Sequence, residues 1–291
     1  MSDARKGEEV EVEVRGLTLR GVRWGSGEDP PVLALHGWLD NCAGFEAVGR
    51  GLEGLQVVAL DLAGHGRSDW RSRDGAYHFV DYVADVMEAL RVLGWEEYGL
   101  LGHSMGGAVS SLVGAVQPEG LKRVVLIDAI GPRSTPAMAS PQVLRQALEE
   151  ERGLSAKRGV SSESVRGIAE RLAAARGDVS AEKLMGMAAR ASEPDGEGGV
   201  RFCFDPRLQG TSRVRFVEEQ VRAYLGALEV PVLLVRPRQG WPVSEDQVKG
   251  RIDRIRDLKL VEIEGGHHVH VSDPERVLEV IGPFLNELKE A

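Results

Sequence analysis

Six short runs of aliphatic residues punctuate this chain of 291 residues, at Val32–Leu35, Val57–Leu60, Gly99–Leu101, Val124–Ile127, Val232–Val235 and Leu260–Ile263. Each is only a few residues long and mostly Val, Leu or Ile, which predicts strands covered on both faces. Helical patterns fill the gaps, at Tyr77 to Leu93, Gly107 to Val116, Glu245 to Ile255 and Pro274 to Leu288. That alternation predicts a parallel sheet built from right-handed crossovers. Ahead of it, Val10 to Trp24 alternates polar and apolar residues with a break at Gly16, the pattern of an antiparallel pair at a sheet edge.

One gap is too long. Between Val124–Ile127 and Val232–Val235 lie about a hundred residues, far more than a normal connection. Four helix-like segments stand in it, Pro141 to Glu151, Ser162 to Ala175, Ala181 to Ala191 and Val217 to Leu228, and Ser192 to Gly199 reads as a flexible polar loop. A helical lid over the carboxyl end of the sheet, where open α/β sheets bind ligands, is the expectation. The core is then 1–131 with 229–291, and the lid 132–228.

Bulk properties narrow the partners. The net charge is −9 without a long basic run, which disfavours nucleic acid and anionic membrane surfaces. No stretch reaches the roughly 18 apolar residues of a membrane span. Met1 to Glu11 is polar and lacks the apolar core of a signal peptide. Two distant cysteines, Cys42 and Cys203, read as reduced thiols of a cytoplasmic protein. Nothing in the chain specifies an oligomeric state.

The chemistry centres on Gly102-His103-Ser104-Met105-Gly106, a G-x-S-x-G pattern between the apolar run before it and the small, helix-spaced residues Gly107 to Ala115. A serine on such a sharp turn projects its hydroxyl clear of the backbone, beside a helix N-terminus that favours developing negative charge. A serine needs a base, and in this arrangement the base comes late in the chain. Gly265-Gly266-His267-His268-Val269-His270 follows the last strand, and its glycines allow a loop that turns His267 inward as general base. His268 or His270 could serve instead. Metal binding by His267, His268 and His270 is disfavoured, because no acid or thiol is spaced to complete a site, and the expected chemistry uses neither metal nor cofactor.

The orienting acid is less plain. After Val235 the sequence runs Arg236-Pro237-Arg238-Gln239-Gly240-Trp241-Pro242, without a carboxylate until Glu245 and Asp246 at a helix start. Asp128 instead emerges from the strand ending at Ile127, where a carboxylate must find a partner, and is the favoured acid over Glu245 or Asp246. For the oxyanion, the backbone N–H of Met105 is one expected donor. The other is that of Trp38 in the loop His36-Gly37-Trp38-Leu39-Asp40-Asn41. Asp61 to Asp69, rich in glycine, reads as a structural loop in which Arg67 pairs with an acid.

Together His36-Gly37, Asp61–Ser68, Gly102–Gly107 and Gly266-His267 resemble the α/β-hydrolase family from about Val10 to Leu288. His36 to Asn41, Gly198 to Phe202, Asp205 to Leu208 and Glu218 to Val221 further resemble its serine hydrolase-like proteins. The resemblance implies an α/β-hydrolase fold, a mostly parallel eight-stranded sheet flanked by helices with a helical lid after the sixth strand. It also places Asp128 where some haloalkane dehalogenases carry their acid. The expected activity is hydrolysis of a carboxylic ester, thioester or amide of a small acyl substrate through an acyl-enzyme on Ser104. Relatives that attack with a carboxylate are disfavoured by that serine. Acyl transfer, carbon–carbon bond hydrolysis and non-catalytic ligand binding on the same scaffold remain the alternatives.

Overall fold

The computed structural model describes residues 5–116, 118–154 and 159–289, so the first four residues of the polar N-terminal stretch lie outside it. The chain opens with β1 (Glu8–Val14) and β2 (Leu17–Trp24), joined by Arg15-Gly16, both at positive φ as a two-residue hairpin turn demands. There follow β3 (Pro31–Leu35), α1 (Glu46–Gly51), β4 (Gln56–Leu60), α2 (Phe79–Leu93), β5 (Tyr98–His103), α3 (Met105–Ala115) and β6 (Leu121–Ile127). The long segment after β6 carries α4 (Ser140–Leu154), β7 (Ser161–Ser162), α5 (Val165–Arg176), α6 (Met185–Arg190), β8 (Ser192–Pro194), β9 (Val200–Phe202) and α7 (Glu218–Gly226). The chain then returns through β10 (Val232–Gln239), α8 (Glu245–Ile252), β11 (Leu258–Gly266), α9 (Val269–Ser272) and α10 (Pro274–Asn286).

Eight strands form one sheet in the order β1-β2-β4-β3-β5-β6-β10-β11. Every pairing from β4 to β11 is parallel, and only β2 runs against its neighbours. Alternate side chains of each central strand enter opposite cores. Leu33, Leu35, Leu100, Val124 and Leu126 meet α2, α3 and α7 on one face. Val32, Ala34, Leu101, Val125 and Ile127 meet α1 and α10 on the other. Covering on both faces is why these strands read as continuous aliphatic runs, and each fully buried Leu, Val or Ile contributes about 1.5–3 kcal/mol. Among the described residues no helix is long and apolar enough to cross a membrane.

The segment after β6 is not helical throughout. β7, β9 and β8 form a small antiparallel sheet, so Ser192 to Gly199, expected as a flexible loop, is part of a hairpin whose turn holds Gly196 and Gly198 at positive φ. Ile168, Leu172, Leu184 and Met187 build a separate small core there. By contrast Val221, Leu225 and Leu228 join the main core, so α7 packs as a sheet-covering helix.

Candidate active site

Ser104 sits between β5 and α3 at φ +51° and ψ −116°, a conformation strained for any residue with a Cβ. Its glycine neighbours make the turn sterically feasible. A Cβ on Gly106 would lie 2.0 Å from the Leu35 carbonyl oxygen, and one on Gly102 would lie 2.4 Å from Gly107 Cα. The backbone is held by hydrogen bonds on both sides of the turn. Ser104 N–H donates to the Ile127 carbonyl at 3.0 Å, and the Ser104 carbonyl accepts from Ala108 N–H at 2.9 Å.

His267 follows β11 directly, after Gly265 at φ +135°. Its Nε2 lies 2.9 Å from Ser104 Oγ, and its Nδ1 lies 2.5 Å from Asp128 Oδ2. Because a carboxylate only accepts, Nδ1 carries the proton and Nε2 is left to accept from the serine hydroxyl. Asp128 stands at the tip of β6 with φ +46°, its N–H bonded to the Val235 carbonyl of the neighbouring strand at 2.9 Å. The three residues predicted from sequence are therefore in contact. Glu245, the alternative acid, is engaged by Arg236, and with Asp246 it begins α8.

The loop after β10, where no acid was found, has another part to play. Trp241 N–H donates to Asp128 Oδ2 at 2.7 Å. A Cβ on Gly240 would lie 2.5 Å from Asp128 Oδ1, so only glycine leaves room for the carboxylate. Gly240-Trp241 was missed as a site element from sequence, and the glycine standing where an acid was sought was the one available signal. The Trp241 ring also stands 5.4 Å from the His267 ring and remains half exposed.

Met105 follows Ser104 at the start of α3, and Trp38 stands in the loop after β3. Among the described residues no protein carbonyl takes up the backbone N–H of either. The Trp38 indole donates to the Leu208 carbonyl at 2.9 Å, tying the loop after β3 to the segment after β6. Trp38 and Met105 also line a cavity of about 190 Å³, together with Tyr77, Phe79, Leu154 and Leu208.

His103, His268 and His270 surround rather than enter this row. His103 is buried, and burial lowers its pKa to about 4, so its ring is neutral and its Nε2–H donates to the His267 carbonyl at 2.8 Å. His270 is buried against Phe45, with its pKa lowered well below the usual value by burial. His268 turns towards Asp178. In the Asp61 loop, the Asp61 carboxylate accepts from Cys42 N–H, Arg67 N–H and Arg190 Nε, and the Arg67 side chain reaches Glu9 at 3.2 Å. Cys42 and Cys203 are free thiols.

Known proteins resemble the chain along nearly its whole length. The profile of a family described as having the alpha/beta hydrolase fold matches residues 30–274. A serine hydrolase-like protein of Danio rerio is 32% identical, the match covering 97% of this chain and 89% of that protein. The crystal structure of a hypothetical protein from Pseudomonas aeruginosa PAO1 superposes with a TM-score of 0.89 at 34% identity, covering 95% of this chain and 99% of that one. A thioesterase domain from the curacin biosynthetic pathway superposes with a TM-score of 0.85 at 26% identity, over 96% of this chain and 99% of the domain.

Proposed function

The chain belongs to the alpha/beta hydrolase family, and from that premise we propose that it is a serine hydrolase cleaving carboxylic esters or thioesters through an acyl-enzyme on Ser104. The observation that carries this reading is the unbroken row from Asp128 Oδ2 to His267 Nδ1 at 2.5 Å and from His267 Nε2 to Ser104 Oγ at 2.9 Å. His267 takes the serine proton as Oγ attacks the carbonyl carbon. Asp128 holds the ring in the tautomer that leaves Nε2 free and stabilises the imidazolium that forms. The negative charge gathers on the carbonyl oxygen, where the N–H groups of Met105 and Trp38 would receive it. One such donor is worth about 10²–10³ in rate. Collapse expels the alkoxide or thiolate, which leaves with the proton from Nε2. Water, deprotonated by the same nitrogen, then releases the acid and the free serine.

The thioester arm draws on the thioesterase domain among the similar structures. We further propose that the inserted segment acts as a lid, because its Leu154 and Leu208 line the same cavity as Trp38 and Met105. Purified protein is expected to label with a fluorophosphonate at Ser104 and to hydrolyse p-nitrophenyl esters, and Ser104→Ala is expected to lose both. Undiminished ester turnover in that variant would overturn the reading. Tight ligand binding without labelling would favour a binding protein, and ester products dominating when an alcohol is supplied would favour acyl transfer.

A further inference from the structure

Behind His267 the segment after β6 meets the core in a buried polar cluster. Asp178, two residues past the end of α5, accepts the backbone N–H of His268 on Oδ2 at 2.7 Å and the ring Nδ1–H on Oδ1 at 3.1 Å. Those bonds hold its carboxyl below the usual range despite a burial that works the other way. With its proton on Nδ1, the His268 ring accepts on Nε2 from Arg176 Nε at 3.2 Å, and the Arg176 guanidinium donates onward to Asp40. Asp40 belongs to the same loop as Trp38, and its second oxygen lies 3.7 Å from His103 Nδ1. His268 Nε2 also lies 3.6 Å from the second oxygen of Asp40, so the imidazole is held between the two carboxylates.

The geometry bears on a single peptide group. The His267 carbonyl accepts from His103 Nε2 at 2.8 Å, and the N–H of the same peptide plane donates to Asp178. A planar unit pinned at both ends, once from the nucleophile strand and once from the inserted segment, cannot rotate about its flanking bonds. The direction of the His267 side chain is thereby set. Gly266 completes the seat, because a Cβ there would lie 2.5 Å from Asp178 Oδ2.

We infer that Asp178 is a positioning residue that reaches from the inserted segment to aim the His267 imidazole at Ser104, with Arg176 and Asp40 holding the cluster in register. The inference rests on the serine hydrolase reading above. It makes the inserted segment part of the machinery that sets the base.

The test uses the full chain and the variants Asp178→Ala, Asp178→Asn and Gly266→Ala, with wild type and Ser104→Ala as controls. Hydrolysis of p-nitrophenyl butyrate is normalised to folded protein. Asp178→Ala is expected to lower kcat about 10- to 100-fold, with KM within about twofold of wild type, as for a misplaced base. Asp178→Asn should recover part of the loss, since one amide oxygen can still accept one of the two N–H groups. Gly266→Ala should reproduce the kcat loss by wedging the carboxylate away. A kcat unchanged in Asp178→Ala, or a change confined to KM, overturns the inference. Wild-type turnover in Ser104→Ala would instead overturn the serine reading. A second arm needs no turnover: exchange of the His268 amide, followed by NMR, should quicken at least about tenfold in Asp178→Ala. Equal exchange in the two proteins overturns the inference whatever the activity.

Discussion

Asp128 is held at φ +46°, a conformation that costs a non-glycine residue about 1–3 kcal/mol. Three contacts offset that strain, from Asp128 N–H to the Val235 carbonyl, from Trp241 N–H to the carboxylate, and from His267 Nδ1–H to the carboxylate. Asp128→Ala removes the oxygen that accepts from both Trp241 N–H and His267 Nδ1–H, so nothing holds the tautomer that leaves Nε2 free. On the proposed mechanism, kcat should fall about 10³- to 10⁴-fold with the fold intact, checked by steady-state kinetics beside circular dichroism. Gly240→Ala places a methyl group 2.5 Å from the same carboxylate, and kcat is expected to fall while KM holds. Ester hydrolysis at wild-type kcat in either variant would remove Asp128 from the mechanism. Along the chain Asp128 and Glu245 were both eligible as the acid. The choice turns on β6 lying beside β10, which brings Asp128 and Trp241 together, and local periodicity carries no record of strand order.

The elements that carry the site were largely legible. β3, β4, β5, β6 and β10 appear as aliphatic runs because both of their faces are covered, whereas β11, at the sheet edge, leaves Leu260 exposed; the helices appear by their spacing. β7, β8 and β9 were not legible, because strands of two or three residues are too short to display a period. The turn at Ser104 was, because glycines cluster wherever backbones approach closely. Two helical glycines illustrate the difference between a tight site and an open one. Gly106→Ala would set a methyl group 2.0 Å from the Leu35 carbonyl oxygen, and a loss beyond the usual 1–3 kcal/mol of overpacking is expected. Gly153, inside α4, has open space where its Cβ would stand, so Gly153→Ala should stabilise the protein by about 0.5–1 kcal/mol. Urea midpoints of the two variants read both signs directly.

Across the whole molecule, burial of neutral histidines links stability to pH. Burial lowers the pKa of His65 to about 3 and that of His103 to about 4, from an ordinary 6.5. Between these values and 6.5 the unfolded chain binds more protons than the folded one, so stability rises with pH. The contribution is fully present above about pH 6.5 and is lost as pH falls towards 4 and then 3. Glu218 acts in a lower window. Burial raises its pKa, but hydrogen bonds from Arg251, Ser134 and Gln247 outweigh that and bring it to about 2. Its contribution is present above the ordinary carboxylate range and lost as pH falls towards 2. The urea midpoint is therefore expected to be lower at pH 5 than at pH 7.5, and a midpoint that rises on acidification over that interval would contradict the burial of these rings as neutral groups.

The positions of Ser104, His267 and the sheet could be read from the linear chain, since each leaves a local mark: a glycine-framed turn, a late histidine after paired glycines, aliphatic runs at regular intervals. Which acid faces the base, which backbone N–H steadies that acid, and which distant carboxylate seats the peptide behind His267 became known from the folded arrangement. Those relations join residues more than a hundred positions apart, or on separate elements, through hydrogen bonds whose partners are chosen by strand order and packing. A hydrogen bond across such a distance constrains geometry in space and imposes no spacing along the chain.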